Sequence, residues 1–374
     1  MDTVATAVRT PMTARQLDLA VIVPTLNEVG NIAAMIEALD RALCGRAYEI
    51  IFVDDWSSDG TPDRVAELAR GRTDIRLIRR HGRRGLTSAV LEGALATLAP
   101  MIAVIDADMQ HDEALLPQLA DAVASGAADV AIGSRYVPHG STGAWDRNRR
   151  EASRFATRLA RRMLGIDVTD PMSGFFVVRA DAIHAALPHM SNLGFKVLAD
   201  LLASSPRPLR TIELPYTFRD RAAGISKLDN AVALEFALML LDKTVGRWLP
   251  PRLILFGAVG GFGLFVHLAI LRLTLAFGSG FGAAQTAAVI GAMTFNFTLN
   301  NVLTYRDRQL RGWAWVTGLL SFFAVCGLGA IANVGVGSFV FDRDYSWWVA
   351  GIAGAIVGSV WNFAASSVLT WRKR

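Results

Sequence analysis

The chain has 374 residues, 52% of them hydrophobic and 19% charged, with a formal net charge of +5. That length allows about two domains, and so modest a charge gives no argument for a nucleic-acid partner, since much of the basic excess lies where lipid headgroups or phosphates would be. The two cysteines, Cys44 and Cys326, are far apart and lack metal-ligand spacing. They read as small apolar residues in a reducing compartment.

In chain order, residues 1–17 do not resemble a signal peptide, because their few apolar residues are interrupted by Arg9, Pro11 and Arg15. This segment is expected to be a disordered tail. Residues 19–23 form a short apolar run that ends at Pro24. Residues 31–43 follow, with Ile32, Met35, Ile36, Leu39 and Leu43 at helical spacing. A strand is predicted over 48–53, closed by a polar run through Thr61, and Pro62 suits the first turn of a helix. The cycle repeats as a strand over 75–79, a helix over 86–98, a strand over 101–105, a helix over 114–124 and a strand over 130–134. Such alternation predicts an α/β fold, a mainly parallel sheet covered on both faces. Ligands of such sheets bind beyond the carboxyl ends of the strands.

Polar residues fall at those ends. Asn27 and Glu28 follow the first strand, Asp54 and Asp55 the second, and Asp106 and Asp108 the fourth. In Asp106-Ala107-Asp108-Met109-Gln110-His111, two carboxylates and an amide oxygen emerge where an apolar run stops. Isolated carboxylates lose much hydration when buried. A hard divalent cation with oxygen ligands would compensate that loss; a polar turn with a helix cap is the alternative. No GxGxxG follows a strand and no GxxxxGK[ST] occurs, which disfavours dehydrogenases and P-loop NTPases. Asp55 could accept hydrogen bonds from a base or ribose, and one of Asp54 and Asp55 is expected to be a turn or cap residue. His111 beside two aspartates is expected to support them rather than act as a base.

Arg147, Arg149, Arg150, Arg154, Arg158, Arg161 and Arg162 form a basic stretch. It suits an acceptor phosphate near a bilayer, and its spacing also permits a helix with solvated or headgroup-facing arginines. Ala222, Ala223 and Gly224 make the segment around Lys227 pliable, as a loop closing over a diphosphate should be. Residues 229–250 read as amphipathic interface helices with Trp248 as anchor, with a buried core helix as the competing reading. Charges become scarce from Arg252 onward. Apolar stretches at 253–277, 281–305, 313–341 and 347–369 each meet or approach the roughly 20 residues needed to cross a bilayer core. Four transmembrane helices are therefore expected within 252–374. Arg306, Arg308 and Arg311 lie between the second and third stretches, and the chain ends Arg372-Lys373-Arg374. Positive loops stay inside, so a multi-pass protein of the cell membrane is expected, with its soluble half and C-terminus cytoplasmic. Gly257/Gly261 and Gly354/Gly358 are GxxxG pairs that would let helices approach closely. Asn296, Asn300, Asn301, Asn333, Asn362 and His267 are expected to form interhelical hydrogen bonds or to line a lipid path, and Arg272 to snorkel.

Taken together, Val23-Pro24-Thr25-Leu26-Asn27-Glu28, Val53-Asp54-Asp55, Ser58-Asp59-Gly60-Thr61, Gly85-Leu86, the Asp106–His111 run, Gly133-Ser134-Arg135-Tyr136, Asp170-Pro171-Met172-Ser173-Gly174-Phe175 and Arg221–Lys227 run in one family's order. The soluble half resembles the dolichol-phosphate mannose synthase branch of the inverting GT-A glycosyltransferases. The membrane half resembles GtrA-like four-helix domains at Phe295-Asn296-Phe297, Asn300-Asn301 and Thr304-Tyr305-Arg306. The resemblance implies a GT-A domain over 18–228, in which Pro24, Leu26, Glu28, Val53 and Asp55 hold the guanosine of GDP-mannose. It also implies that Asp106, Asp108 and Gln110 ligate Mg2+ or Mn2+, with the backbone of Ala107 close by. Arg135, Arg221 and Lys227 would meet the diphosphate or the transferred sugar, and Arg149 and Ser153 the phosphate of a polyprenyl or dolichyl lipid acceptor. Two positions depart from the family pattern: Leu26 stands where an aromatic residue usually flanks the base, and Trp56 where Gly is common. The expected reaction is mannosyl transfer from GDP-mannose to the lipid phosphate, with Asp106, Asp108, Arg149, Arg221 and Lys227 as catalytic groups. Glucosyl transfer from UDP-glucose is the enzymatic alternative. A glycolipid transporter or flippase with a regulatory nucleotide-binding half is the alternative of another class.

Overall fold

The computed structural model describes residues 17–81, 85–145, 147–191, 196–219, 230–246, 250–305, 308–344 and 347–372. The chain divides into two compact units, Met1–Thr244 and Val245–Arg374.

The first unit is built on seven strands, β1 (Leu19–Thr25), β2 (Tyr48–Asp54), β3 (Ile75–Arg79), β4 (Met101–Val104), β5 (Val130–Ser134), β6 (Phe176–Arg179) and β7 (Thr211–Pro215). They lie in the order β3-β2-β1-β4-β6-β5-β7. Every neighbouring pair is parallel except the two made by β6, which runs antiparallel to β4 and β5. The parallel strands thus end on one rim of the sheet, and β6 begins on that same rim.

Helices cover both faces, as the alternation predicts. Successive residues of a strand point to opposite faces. Leu19, Val21 and Val23 of β1 pack with α1 (Ile32–Ala42), α2 (Thr61–Leu68) and α4 (Leu116–Ala124). Ala20 and Ile22 pack with α3 (Leu86–Leu95), α6 (Ala180–Ala186) and α7 (Val197–Ser204). The basic stretch forms α5 (Arg147–Leu164), and α8 (Asn230–Thr244) ends the unit. Pro24 fits inside β1 because pairing with β4 stops at Ile22, so its missing N–H falls where no β4 partner remains. The predicted helix over 86–98 stops at Leu95, leaving Leu98 99% exposed. Ala99 precedes Pro100 and so disfavours helix, and its N–H donates to the Thr97 hydroxyl.

In the second unit α9 (Pro251–Ala276), α10 (Phe281–Val302), α11 (Trp313–Phe341) and α12 (Trp347–Ala365) follow the four apolar stretches, and α12 runs into a π-helical turn, Ser366–Thr370. Among the described residues one helical stretch, Arg252–Ala276, is by itself long and apolar enough to cross a bilayer; Trp313–Gly329 and Ile356–Thr370 are shorter apolar stretches. Phe256, Phe297, Tyr305, Phe322 and Trp371 form the core. Asn301 is a bonding residue of that core, accepting hydrogen bonds from Trp371 Nε1 and the Leu310 N–H. Among the described residues the expected close approach at Gly257/Gly261 is absent: a Cβ at either would meet none of them within 4 Å. The intimate glycine contacts are Gly263 against Asn296 and Gly329 against Asn362.

Candidate active site

The rim is built first at the ends of β1 and β2. The Asp55 N–H donates to the Thr25 carbonyl, Asn27 N–H to the Ser57 hydroxyl, and Glu28 N–H to the Thr61 hydroxyl. These bonds stitch the two loops together and leave Leu26 and Glu28 half-buried. Asp54 is fully buried and accepts hydrogen bonds from the Ser57 N–H and from the hydroxyls of Ser57 and Thr25. It is the turn residue of the pair. Asp55 accepts the Gly85 N–H at 2.8 Å and pairs with Arg80, whose side chain is wholly buried. Gly85 has φ +142°, a conformation glycine adopts without a Cβ clash. Pro24 and Val53 lie within the sheet, and the Val53 side chain belongs to the core against α3.

The acidic turn comes next. Its last tie to β1 is the Ile105 N–H to the Ile22 carbonyl. Asp108 Oδ1 accepts the Gln110 N–H at 3.2 Å, across Met109 in the left-handed region (φ +61°). Gln110 Nε2 donates to the Arg219 carbonyl at 2.9 Å, and the Arg219 N–H donates to the Gln110 carbonyl at 2.8 Å. The turn is therefore tied to the residue before the segment that carries Arg221 and Lys227, and both of those residues lie outside the described residues. His111 is fixed on both nitrogens, with Nδ1 2.9 Å from the Tyr216 hydroxyl and Nε2 3.2 Å from Asp106 Oδ2. Its ring stacks on Phe175. His111 is thus an orienting group for Asp106, as expected.

Asp106 is half-buried. Burial by itself raises its pKa, but the His111 hydrogen bond and the charges of His111, Lys196 and Arg135 outweigh that, so its carboxyl is held below the usual range. Gly174 approaches it so closely that a Cβ there would lie 2.7 Å from Asp106 Oδ2. A side chain at Gly174, just before β6, would therefore have to displace the Asp106 carboxylate. Asp106, Asp108 and Gln110 offer oxygen donors, which suit a hard divalent cation. Among the described residues no three His, Cys, Asp or Glu side chains converge on one point. A cation such as Mg2+ usually takes one or two carboxylates and completes its shell with substrate phosphates and water, so the donor set fits that use.

A cationic side faces the acidic one. Arg135 forms a bidentate pair with Asp170 (2.7 and 2.8 Å) and is buried. Its guanidinium lies over the Trp145 ring at 5.3 Å, as does that of Arg149 at 4.2 Å. Ser153 accepts the Tyr136 hydroxyl at 2.8 Å, one turn along α5 from Arg149. Lys196 caps α7 and has its Nζ 3.5 Å from the Met172 carbonyl. Burial and the neighbouring Arg135 push its pKa down, with Asp106 and Asp170 opposing. Trp145 and Lys196 were not signalled by any motif. Asp170 was legible only as part of the resemblance, with no role attached.

Comparison with known proteins gives the family. Residues 20–186 match the family model for glycosyl transferase family 2, and residues 255–371 match that for the GtrA/DPMS transmembrane domain. The chain is 30% identical to the dolichol-phosphate mannosyltransferase of Pyrococcus furiosus over 95% of its own length and 99% of that protein's. It is 33% identical to the dolichol-phosphate mannosyltransferase of Saccharomyces cerevisiae (64% and 92% covered) and 31% identical to the undecaprenyl-phosphate mannosyltransferase of Micrococcus luteus (61% and 92%). The chain is a glycosyltransferase of the dolichol-phosphate mannosyltransferase family, with a GT-A catalytic unit followed by a GtrA/DPMS transmembrane domain.

Proposed function

We propose that the protein transfers mannose from GDP-mannose to the phosphate of a polyprenyl lipid, releasing GDP. The observation that carries this reading is a likeness to a dolichol-phosphate mannosyltransferase through both units, 95% of the chain. Under this proposal Pro24, Leu26, Glu28, Val53 and Asp55 form the nucleoside end of the rim. Asp106, Asp108 and Gln110 hold Mg2+ or Mn2+, which when bound supplies neutralising charge for the departing diphosphate. Arg221 and Lys227, in the segment that follows Arg219, add cations, and Arg149 and Ser153 receive the acceptor phosphate.

The residues explain how such a reaction proceeds without a dedicated base. A phosphate monoester has its second pKa near 6, so the acceptor is already largely dianionic at neutral pH. His111 is held between Tyr216 and Asp106 and is not needed to remove a proton. The chain's work is to place the acceptor oxygen in line with the anomeric carbon and to stabilise negative charge on the leaving group.

For the membrane half we propose four spans within 252–374 and interface helices over 229–250. The Arg-rich links support a catalytic unit and C-terminus on the cytoplasmic side. The test of function is direct. Purified full-length protein is incubated with polyprenyl phosphate, Mn2+ and labelled GDP-mannose or UDP-glucose, and lipid-soluble label is counted. Label from GDP-mannose is expected. Label from UDP-glucose alone would overturn the donor assignment, and label from neither would overturn the transferase reading for this acceptor.

A further inference from the structure

Trp56 directly follows Asp55 at the carboxyl end of β2, in a conformation that disfavours it. Its φ is +64°, a region in which a bulky side chain is an outlier. The side chain is still 42% exposed, so core packing does not explain it. Two neighbours hold the ring: the Arg79 guanidinium lies 4.8 Å over it, and the His81 ring centroid is 4.2 Å away. Between those two neighbours Arg80 turns inward to Asp55. In the sheet order Trp56 stands two strands from the acidic turn, a separation of roughly 10 Å, comparable to the span from a diphosphate across a ribose to its base. Strained residues that persist at a ligand rim mark places where the strain serves binding.

We propose that Trp56 is the surface on which the donor's nucleobase stacks, with Arg79 and His81 fixing the orientation of the ring. This rests on the nucleotide-sugar reading above. The test is calorimetric titration of the full-length protein in Mn2+ with two probes, GDP and inorganic pyrophosphate. Stacking on an aromatic is commonly worth about tenfold or more in affinity, so Trp56→Ala and Trp56→Gly should weaken GDP binding by about that factor, while Trp56→Phe keeps most of it. Pyrophosphate binding should be unchanged in all three. Because glycine relieves the positive φ, Trp56→Gly should melt no lower than the native protein. Native affinity for GDP in Trp56→Ala would overturn the proposal, as would equal losses for GDP and pyrophosphate. Failure of the native protein to bind GDP would overturn the donor reading itself, and this proposal with it.

An independent observation concerns the second unit. Residues 252–308 match residues 318–374 without a gap, so that Phe256 corresponds to Phe322, Gly263 to Gly329, Asn296-Phe297 to Asn362-Phe363, and Val302-Leu303-Thr304 to Val368-Leu369-Thr370. The contacts repeat in the same correspondence. Phe256 meets Phe363 at 5.8 Å, and its counterpart Phe322 meets Phe297 at 5.7 Å. The Tyr305 hydroxyl bonds Ser367, and Trp371 Nε1 bonds Asn301. Phe256 touches its own counterpart Phe322, and Tyr305 stacks on Trp371 at 4.1 Å and 7°. Swapped pairs, with self-pairs on a line between them, are what a two-fold axis generates. Each copy also seats an asparagine on a glycine of its own hairpin, and the Oδ1 atoms of Asn296 and Asn362 are both buried without a hydrogen-bond donor among the described residues.

We infer that the membrane unit is a duplicated helix hairpin, α9–α10 and α11–α12, arranged as a parallel repeat about a pseudo-two-fold axis. The axis passes through the Phe256/Phe322 and Tyr305/Trp371 contacts. Gly263→Ala and Gly329→Ala should each lower the melting temperature of the full-length protein by a similar amount. Each should be restored by Asn→Ala in its own hairpin (N296A or N362A) and not by the other. Phe256→Cys with Phe322→Cys, in a chain with Cys44 and Cys326 replaced, should be joined within one chain by a short bifunctional thiol reagent, which spans more than a direct disulfide can. Absence of that cross-link, or coupling in only one of the two hairpins, would overturn the duplication.

Discussion

Two acidic pairs stand at the ends of neighbouring strands, and they differ in what their carboxylates touch. At the end of β2, Asp54 is enclosed by donors from Thr25 and Ser57, and Asp55 faces the buried Arg80 and the Gly85 N–H. At the end of β4, Asp106 touches a histidine and a glycine, and Asp108 bonds the backbone of its own turn. The first pair is fastened by the loops it organises. The second is held in place by residues that leave oxygen donors directed to a shared rim. Under the proposed function Asp54 serves architecture alone, Asp55 both architecture and the nucleoside, and Asp106 and Asp108 the cation, with the partners of each carboxylate deciding which.

Substitutions can break that contrast. Arg80→Ala should have the largest effect on stability, because removing one partner of a buried ion pair costs about 3–5 kcal/mol. For a unit of this size that is roughly a 10 °C fall in melting temperature. Asp108→Ala should behave in the opposite way: transfer falls on the order of 10²–10³-fold, while thermal melts stay close to native. Native transfer rates in Asp108→Ala would end the contrast. Asp54→Ala should lower stability by about 1–3 kcal/mol through the donors it strands, with calorimetry as the measure. A loss of activity without a loss of stability would place Asp54 in the site instead.

Lys196→Ala should reduce kcat/KM by about tenfold, the scale of one charge-assisted hydrogen bond. Its ammonium pKa is pushed down, so the native enzyme should lose activity on the alkaline side at a lower pH than an ordinary lysine would dictate. Lys196→Arg should extend activity to higher pH. The smallest effect is expected far from the rim. Arg210 and Arg207 hold the Asp129 carboxyl well below its ordinary range. Its stabilisation is fully present above the unfolded-state pKa of about 3.9 and is lost as pH falls through the depressed native value. The gap in melting temperature between native protein and Asp129→Asn should therefore be constant above about pH 5 and narrow at lower pH.

The alternation of apolar runs and helical spacing made β1 to β5 and the rim readable in the sequence, because fully buried parallel strands are near-continuous apolar segments. The four residues of β6 and the partly exposed edge strand β7 carried no comparable pattern. Yet the lead into β6 brings Gly174 to Asp106, and β7 leads to Tyr216 beside His111. The carboxylates Asp106 and Asp108 were legible as a polar turn at a strand end, a candidate for binding a ligand, whereas Trp145 and Lys196 carried no signal. Both are defined by tertiary neighbours, the guanidiniums over one and the carboxylates of Asp106 and Asp170 near the other, and neither carries a local signal. The GxxxG pair at Gly257 misled because spacing alone does not say which way a helix face turns.

The central claim is that the carboxylates after β4 would hold a divalent cation that neutralises charge on the donor's diphosphate. Manganese binding followed by electron paramagnetic resonance, with and without GDP, tests it most directly. The native protein should bind Mn2+ more tightly when GDP is present, and Asp108→Ala should lose that GDP-linked binding while keeping its fold. Undiminished GDP-linked Mn2+ binding in Asp108→Ala would contradict the account.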